Sequence, residues 1–72
     1  MAEQVKAALT IMRRKQVEAR TGLSRSSIYS RIKDGAFPAP ISLGDDARAV
    51  GWIEAEVQDW IAQQVAKSRA TA

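Results

Sequence analysis

The chain has no cysteine and no histidine among its 72 residues. The first absence removes disulfides and thiol nucleophiles, the second removes imidazole bases, and together they remove the usual zinc ligands. No apolar run approaches the 18 or so residues of a membrane span, and the N-terminus lacks the hydrophobic block of a signal peptide. A chain this short buries only about 60% of its unfolded surface, which predicts one small domain without room for a large catalytic cavity. These exclusions predict a cytoplasmic protein that is not an enzyme, with no membrane partner, metal, cofactor or evident small-molecule ligand. Asp45 and Asp46 are adjacent carboxylates with no third ligand at a recognisable spacing. They read as turn residues and not as a metal or acid–base pair.

What the chain does have is an uneven charge distribution. The total is a modest +3, but from Arg13 to Lys33 seven cations stand against Glu18 alone, while the remainder carries four cations against seven carboxylates. A positive field focused on one segment favours a polyanion and speeds encounter with it.

That basic segment also carries the clearest local signals. Arg14 to Thr21 reads as a short helix with Val17 and Thr21 on one face, and Gly22 supplies a left-handed residue just past its end. Ser24 is a good N-cap for a second helix starting near Arg25, with Leu23 and Ile28 placed as a hydrophobic staple. Gly35 then closes that helix near Asp34, and Pro38 and Pro40 prevent its continuation. Ile28 and Ile32 form the inward stripe; Ser26, Tyr29, Ser30 and Lys33 lie opposite, and Arg25 and Arg31 lie on the flanks. A helix, a tight Gly-containing turn and a capped helix whose outer face is small, polar and cationic outline a helix-turn-helix with a recognition helix suited to the major groove.

After Gly35 the period changes. Residues preceding Pro38 and Pro40 are pushed to extended conformations. Ile41-Ser42-Leu43, the turn Gly44-Asp45-Asp46-Ala47, and Val50-Gly51-Trp52-Ile53 then read as a β-hairpin. Beside a helix-turn-helix this hairpin would be a wing, and Arg48, its only cation, is the candidate wing contact. A last helix is expected from about Ala55 to Ala66, with Val57, Trp60, Ile61, Gln64 and Val65 as its core stripe. Trp52 and Trp60 are assigned to core packing in preference to base stacking. Leu9, Ile11 and Met12 are expected to cover the edge of the core. Residues 1–10 read as a flexible arm, 11–66 as the domain and 67–72 as a loose tail.

The joint order of Thr21-Gly22-Leu23-Ser24-Arg25-Ser26-Ser27-Ile28-Tyr29, Phe37-Pro38-Ala39-Pro40, Gly51-Trp52 and Glu56-Val57-Gln58-Asp59-Trp60-Ile61 resembles the AlpA family of prophage regulators. The resemblance covers roughly Ile11 to Gln64 and departs from the family's pattern at Ser30 and in the longer, more acidic hairpin tip. It implies a fold that is mainly α with a small β-hairpin, a MerR-like or excisionase-like winged helix-turn-helix. It also implies a phage or mobile-element transcriptional regulator. The expected partner is double-stranded DNA, bound as a dimer or as a cooperative oligomer because one small domain offers little interface. The alternatives are an architectural DNA-bending factor of excisionase type and a small phage protein-interaction module. The candidate DNA-binding set comprises Arg13, Arg14, Lys15, Ser24, Arg25, Ser26, Ser27, Tyr29, Ser30, Arg31, Lys33 and Arg48.

Overall fold

The structure, a computed structural model, describes residues 9–45 and 48–71. The arm expected over residues 1–10 lies mostly outside them, as do Asp46 and Ala47 of the hairpin tip. Along the described residues the order is β1 (Ile11–Met12), α1 (Arg14–Thr21), α2 (Arg25–Lys33), β2 (Ile41–Ser42), β3 (Val50–Ile53) and α3 (Glu54–Thr71).

The two N-terminal helices form where their end signals place them. At the start of α1 the Gln16 side chain accepts a hydrogen bond from the Arg13 backbone N–H at 2.8 Å, satisfying a donor that the helix leaves over. Gly22 ends α1 at φ 76°, a conformation in which a Cβ would strain the backbone. The Thr21 hydroxyl braces the turn, donating to the Val17 carbonyl at 2.8 Å and accepting from the Leu23 N–H at 3.2 Å. Ser24 caps α2 by accepting from the Ser27 N–H at 3.2 Å. The far end of α2 closes as a Schellman motif. The Ala36 N–H reaches back to the Arg31 carbonyl at 2.7 Å, and Gly35, at φ 72°, donates to the Ile32 carbonyl at 3.0 Å.

The sheet is larger than a hairpin. Its order is β1-β3-β2, with both pairings antiparallel; Ile11 faces Ile53, Met12 faces Trp52, Ile41 faces Gly51 and Ser42 faces Val50. Strand alternation decides the fate of the residues expected to cover the core edge. Met12 points inward and is 4% exposed, whereas Ile11 and Leu9 are left 38% and 55% exposed. The backbone of the preceding residue is held as well, because the Glu54 N–H donates to the Thr10 carbonyl at 2.7 Å.

The inner sheet face, the two short helices and the start of α3 close on a core of Met12, Val17, Ile28, Phe37, Trp52 and Val57, with Leu23, Ile32, Val50, Trp60 and Ile61 packed around it. Trp52 is fully buried, as expected, and Trp60 is only half-buried at the margin. Both indoles do a second job. Trp52 Nε1–H donates to the Pro38 carbonyl at 2.9 Å and Trp60 Nε1–H to the Ala36 carbonyl at 2.7 Å. The proline-containing segment that leaves α2 is therefore pinned by two side chains from β3 and α3. Phe37 completes the anchor, edge-on to Trp60 with ring centroids 4.9 Å apart.

Helix α3 departs from expectation at its end. It continues to Thr71, through residues expected to form a loose tail. Ala66-Lys67-Ser68-Arg69-Ala70 contains no glycine or proline to stop a helix already nucleated by packing at Val57 and Trp60. No helix among the described residues is long and apolar enough to cross a membrane.

Candidate nucleic-acid interface

Helix α2 separates two depressions. One is lined by Arg13, Arg14, Lys15, Arg25, Tyr29, Arg48 and Val50. Five cations from four places in the chain converge there: the turn before α1, the first turn of α1, the start of α2 and the hairpin. The angle between α1 and α2 brings the first three beside Arg25, and the antiparallel return of β3 brings the hairpin arginine to the same side.

The cations in this depression are not equally held. Arg14 is paired with Glu18 one turn along α1. The Arg25 guanidinium carbon lies 5.9 Å from the centroid of the Tyr29 ring, a cation–π arrangement between residues one helical turn apart. Tyr29 is itself 39% exposed and packs edge-on against buried Trp52, with ring centroids 6.2 Å apart. A continuous stack thus runs from the core tryptophan, through Tyr29, to a guanidinium at the protein surface. Trp52 is fixed in turn by its bond to Pro38. Sequence periodicity placed Tyr29 on the outer face of α2, and the structure puts it at the boundary between that face and the core.

Ser26, Ser27, Ser30 and Arg31 lie together elsewhere, lining a shallow concavity with Asp34 on the outer side of α2. The Ser24 and Ser27 hydroxyls are engaged with each other at 3.2 Å as part of the helix cap. Ser26 and Ser30 are exposed and present small hydroxyls between the two flanks of the helix. Lys33 is the exposed last residue of α2 and lines neither depression.

Arg31 also borders the second depression, which lies between the end of α2, the Gly35–Pro38 segment and α3, where Glu56, Trp60, Gln63, Gln64 and Lys67 complete the lining. Lys67 stands outside the candidate set, in the stretch 67–72 expected to form a loose tail, yet it lines this depression. The missed signal is compositional: nothing after Val65 breaks a helix. Farther away, Arg20 pairs with Glu54 at 3.1 Å, tying the end of α1 to the start of α3, so this basic residue serves the fold.

Comparisons with known proteins identify the family of the chain. Residues 10–65 match the model of a family described as prophage CP4-57 regulatory protein (AlpA). The chain is similar to the DNA-binding transcriptional activator AlpA of Escherichia coli (strain K12), with 35% identity over 65 residues, covering 82% of this chain and 90% of that protein. It is also similar to a protein of Enterobacteria phage P4 named as the uncharacterized protein ORF88, with 47% identity over 45 residues, covering 62% of this chain. The chain spans about half the length of the phage P4 protein, 49%, and most of the AlpA protein. No solved structure matches the chain significantly. A family match across most of the chain, laid over a helix-turn-helix flanked by a small sheet, shows that the chain belongs to the AlpA family of prophage regulatory proteins.

Proposed function

We propose that this chain is a sequence-specific double-stranded DNA-binding protein that regulates transcription in a phage or mobile element. The observation that carries the reading is the depression beside α2, where Arg13, Arg14, Lys15, Arg25 and Arg48 converge on one side of a capped helix. Membership of the AlpA family and similarity to a protein named as a DNA-binding transcriptional activator support it. In this reading α2 enters the major groove. Arg25, Ser26, Tyr29 and Ser30 face base edges or adjacent phosphates, while Arg13, Arg14, Lys15, Arg31 and Lys33 supply sequence-independent attraction. Ser24 and Ser27 act by holding the helix start, and Arg48 adds a backbone contact from the hairpin. The function is binding and not catalysis, and it places the protein in the cytoplasm, on the nucleoid when bound.

One domain of this size offers less surface than specific protein–DNA complexes usually bury, so occupancy by two or more copies on repeated sites is part of the proposal. The test is a protection footprint on DNA flanking the gene, followed by affinity measurements for the protected duplex and a scrambled duplex across a salt series. Protection of a discrete site, with affinity falling steeply with salt on both duplexes and higher on the protected one, is the expected result. Equal affinity for the two duplexes at every salt concentration would remove sequence specificity from the reading.

A further inference from the structure

We propose that Lys67 on α3 and Arg31 on α2 together hold a backbone phosphate on the side of the major groove opposite Arg25, which makes the end of α3 a second DNA contact; this rests on the DNA-binding reading above. At about 100° per residue, Arg25 and Tyr29 fall on one flank of α2 and Arg31 on the other, with Ser26 and Ser30 outermost between them. The structure keeps that division, because Arg25 and Tyr29 line one depression and Arg31 lines the other. A helix about 10–12 Å across fills a major groove about 12 Å wide, so a phosphodiester strand runs along each flank. On the Arg25 flank, cations from α1 and the hairpin meet one strand. On the Arg31 flank the neighbouring element is α3, and the cation it brings to the shared depression is Lys67.

The length of α3 supports the same assignment. Its 18 residues include a first half that packs on the core through Val57, Trp60 and Ile61, and a second half in which residues 66–70 are exposed. Residues 66–70 therefore lie outside the core, and among them Lys67 lies alongside the end of the recognition helix. Phe37, Pro38 and Trp60 give the depression an apolar floor, which suits the sugar of a nucleotide whose phosphate meets the cations. Glu56 lies on the same rim but eleven residues earlier, about 16 Å along the helix. The anion site is accordingly at the Lys67 end of the depression.

The experiment compares the unaltered protein with Lys67→Ala and Arg69→Ala on specific and random duplexes across a salt series, with thermal melting and phosphate-ethylation interference on the specific duplex. Arg69 is two residues on, about 200° around the helix, and does not line the depression. Lys67→Ala should weaken binding to both duplexes several-fold, reduce the salt slope by about 0.9 and erase interference at one phosphate on the strand flanking Arg31. Arg69→Ala should change neither the slope nor the interference pattern. If Lys67→Ala lowers the melting temperature but leaves the slope and interference pattern intact, the residue serves the negative end of the helix dipole and the proposal fails. Equal losses from Lys67→Ala and Arg69→Ala would also overturn it, since they would report diffuse charge and not a site. Absence of duplex binding by the unaltered protein would overturn the DNA reading and this proposal together, whereas binding with an unchanged Lys67→Ala slope would overturn this proposal alone.

Discussion

Arg25 and Lys15 line the same depression, yet the structure holds them differently. Arg25 is stacked on Tyr29 and thereby given a direction, while among the described residues no aromatic contact fixes Lys15. A directed guanidinium is the group that reads a base edge bidentately; an undirected ammonium acts as a point charge toward phosphate. Arg25→Ala is therefore expected to cost about 1–3 kcal/mol on the preferred duplex and much less on random DNA. Lys15→Ala should weaken both duplexes about equally and lower the salt slope by about one unit. Salt titrations of each variant on both duplexes check this, and equal losses for Arg25→Ala on the two duplexes would make it a phosphate contact. Tyr29 offers a second check on the same residue pair. Tyr29→Phe keeps the ring beneath the guanidinium and should keep discrimination between duplexes, whereas Tyr29→Leu removes a contact worth about 0.5–1 kcal/mol at such an exposed site. Discrimination lost equally in both variants would instead implicate the phenol hydroxyl as a direct contact. Much of this was legible in the sequence, since the outer face of α2 follows from Ile28 and Ile32 pointing inward. The stack was not, because Tyr29 meets Trp52 only after β3 folds back across 23 residues of chain.

The helices and the sheet differ in how much of each the sequence declared. For α1 and α2 the end signals are local: a tight turn at Gly22, a cap at Ser24 and a stop at Gly35, all within hydrogen-bonding reach of the residues they serve. Ser24→Ala should cost about 1 kcal/mol and speed amide exchange across residues 25–33, because a first-turn donor loses its acceptor. Unchanged exchange there would mean that the cap does not hold α2. Strand β1 gave no such signal, since two residues have no periodicity of their own and become a strand only by pairing with β3. Gly51 shows the same dependence on distant chain. A Cβ at that position would lie 2.5 Å from Ile11 Cγ2, with the Met12 carbonyl oxygen and Leu43 Cδ1 each 3.2 Å away. The glycine is thus what allows β1 and β2 to close on the middle strand, a role invisible from its neighbours in sequence. Gly51→Ala should destabilise the domain by about 1–3 kcal/mol through overpacking. Denaturant unfolding measures this, and a midpoint equal to that of the unaltered protein would show that Ile11 swings aside without cost.

At the scale of the whole molecule, the fold and the candidate interface share the same small core. Trp52 has no exposed surface, packs against Tyr29 beneath Arg25, and fixes the segment leaving α2 through Pro38. Its removal therefore acts on the fold and on the candidate interface at once. Truncating a buried aromatic to alanine costs about 3–5 kcal/mol, comparable with the about 3–5 kcal/mol that a single core supplies to a domain below 70–80 residues. Trp52→Ala is accordingly expected to lack a cooperative thermal transition when free. A ligand that binds only the folded state adds about 2.7 kcal/mol of stability at 100 times its dissociation constant. Excess specific duplex should then recover part of the helical circular dichroism of Trp52→Ala, to an extent that increases with DNA concentration and diminishes as salt weakens the complex. Trp60→Ala provides the contrast, because Trp60 is only half-buried at the edge of the core. It should retain a cooperative transition at a lower temperature. A Trp52→Ala protein that melts cooperatively without DNA, at or above the temperature of Trp60→Ala, would show that the core does not depend on Trp52, and the coupling between core and interface would have to run through α1 and Val17 instead.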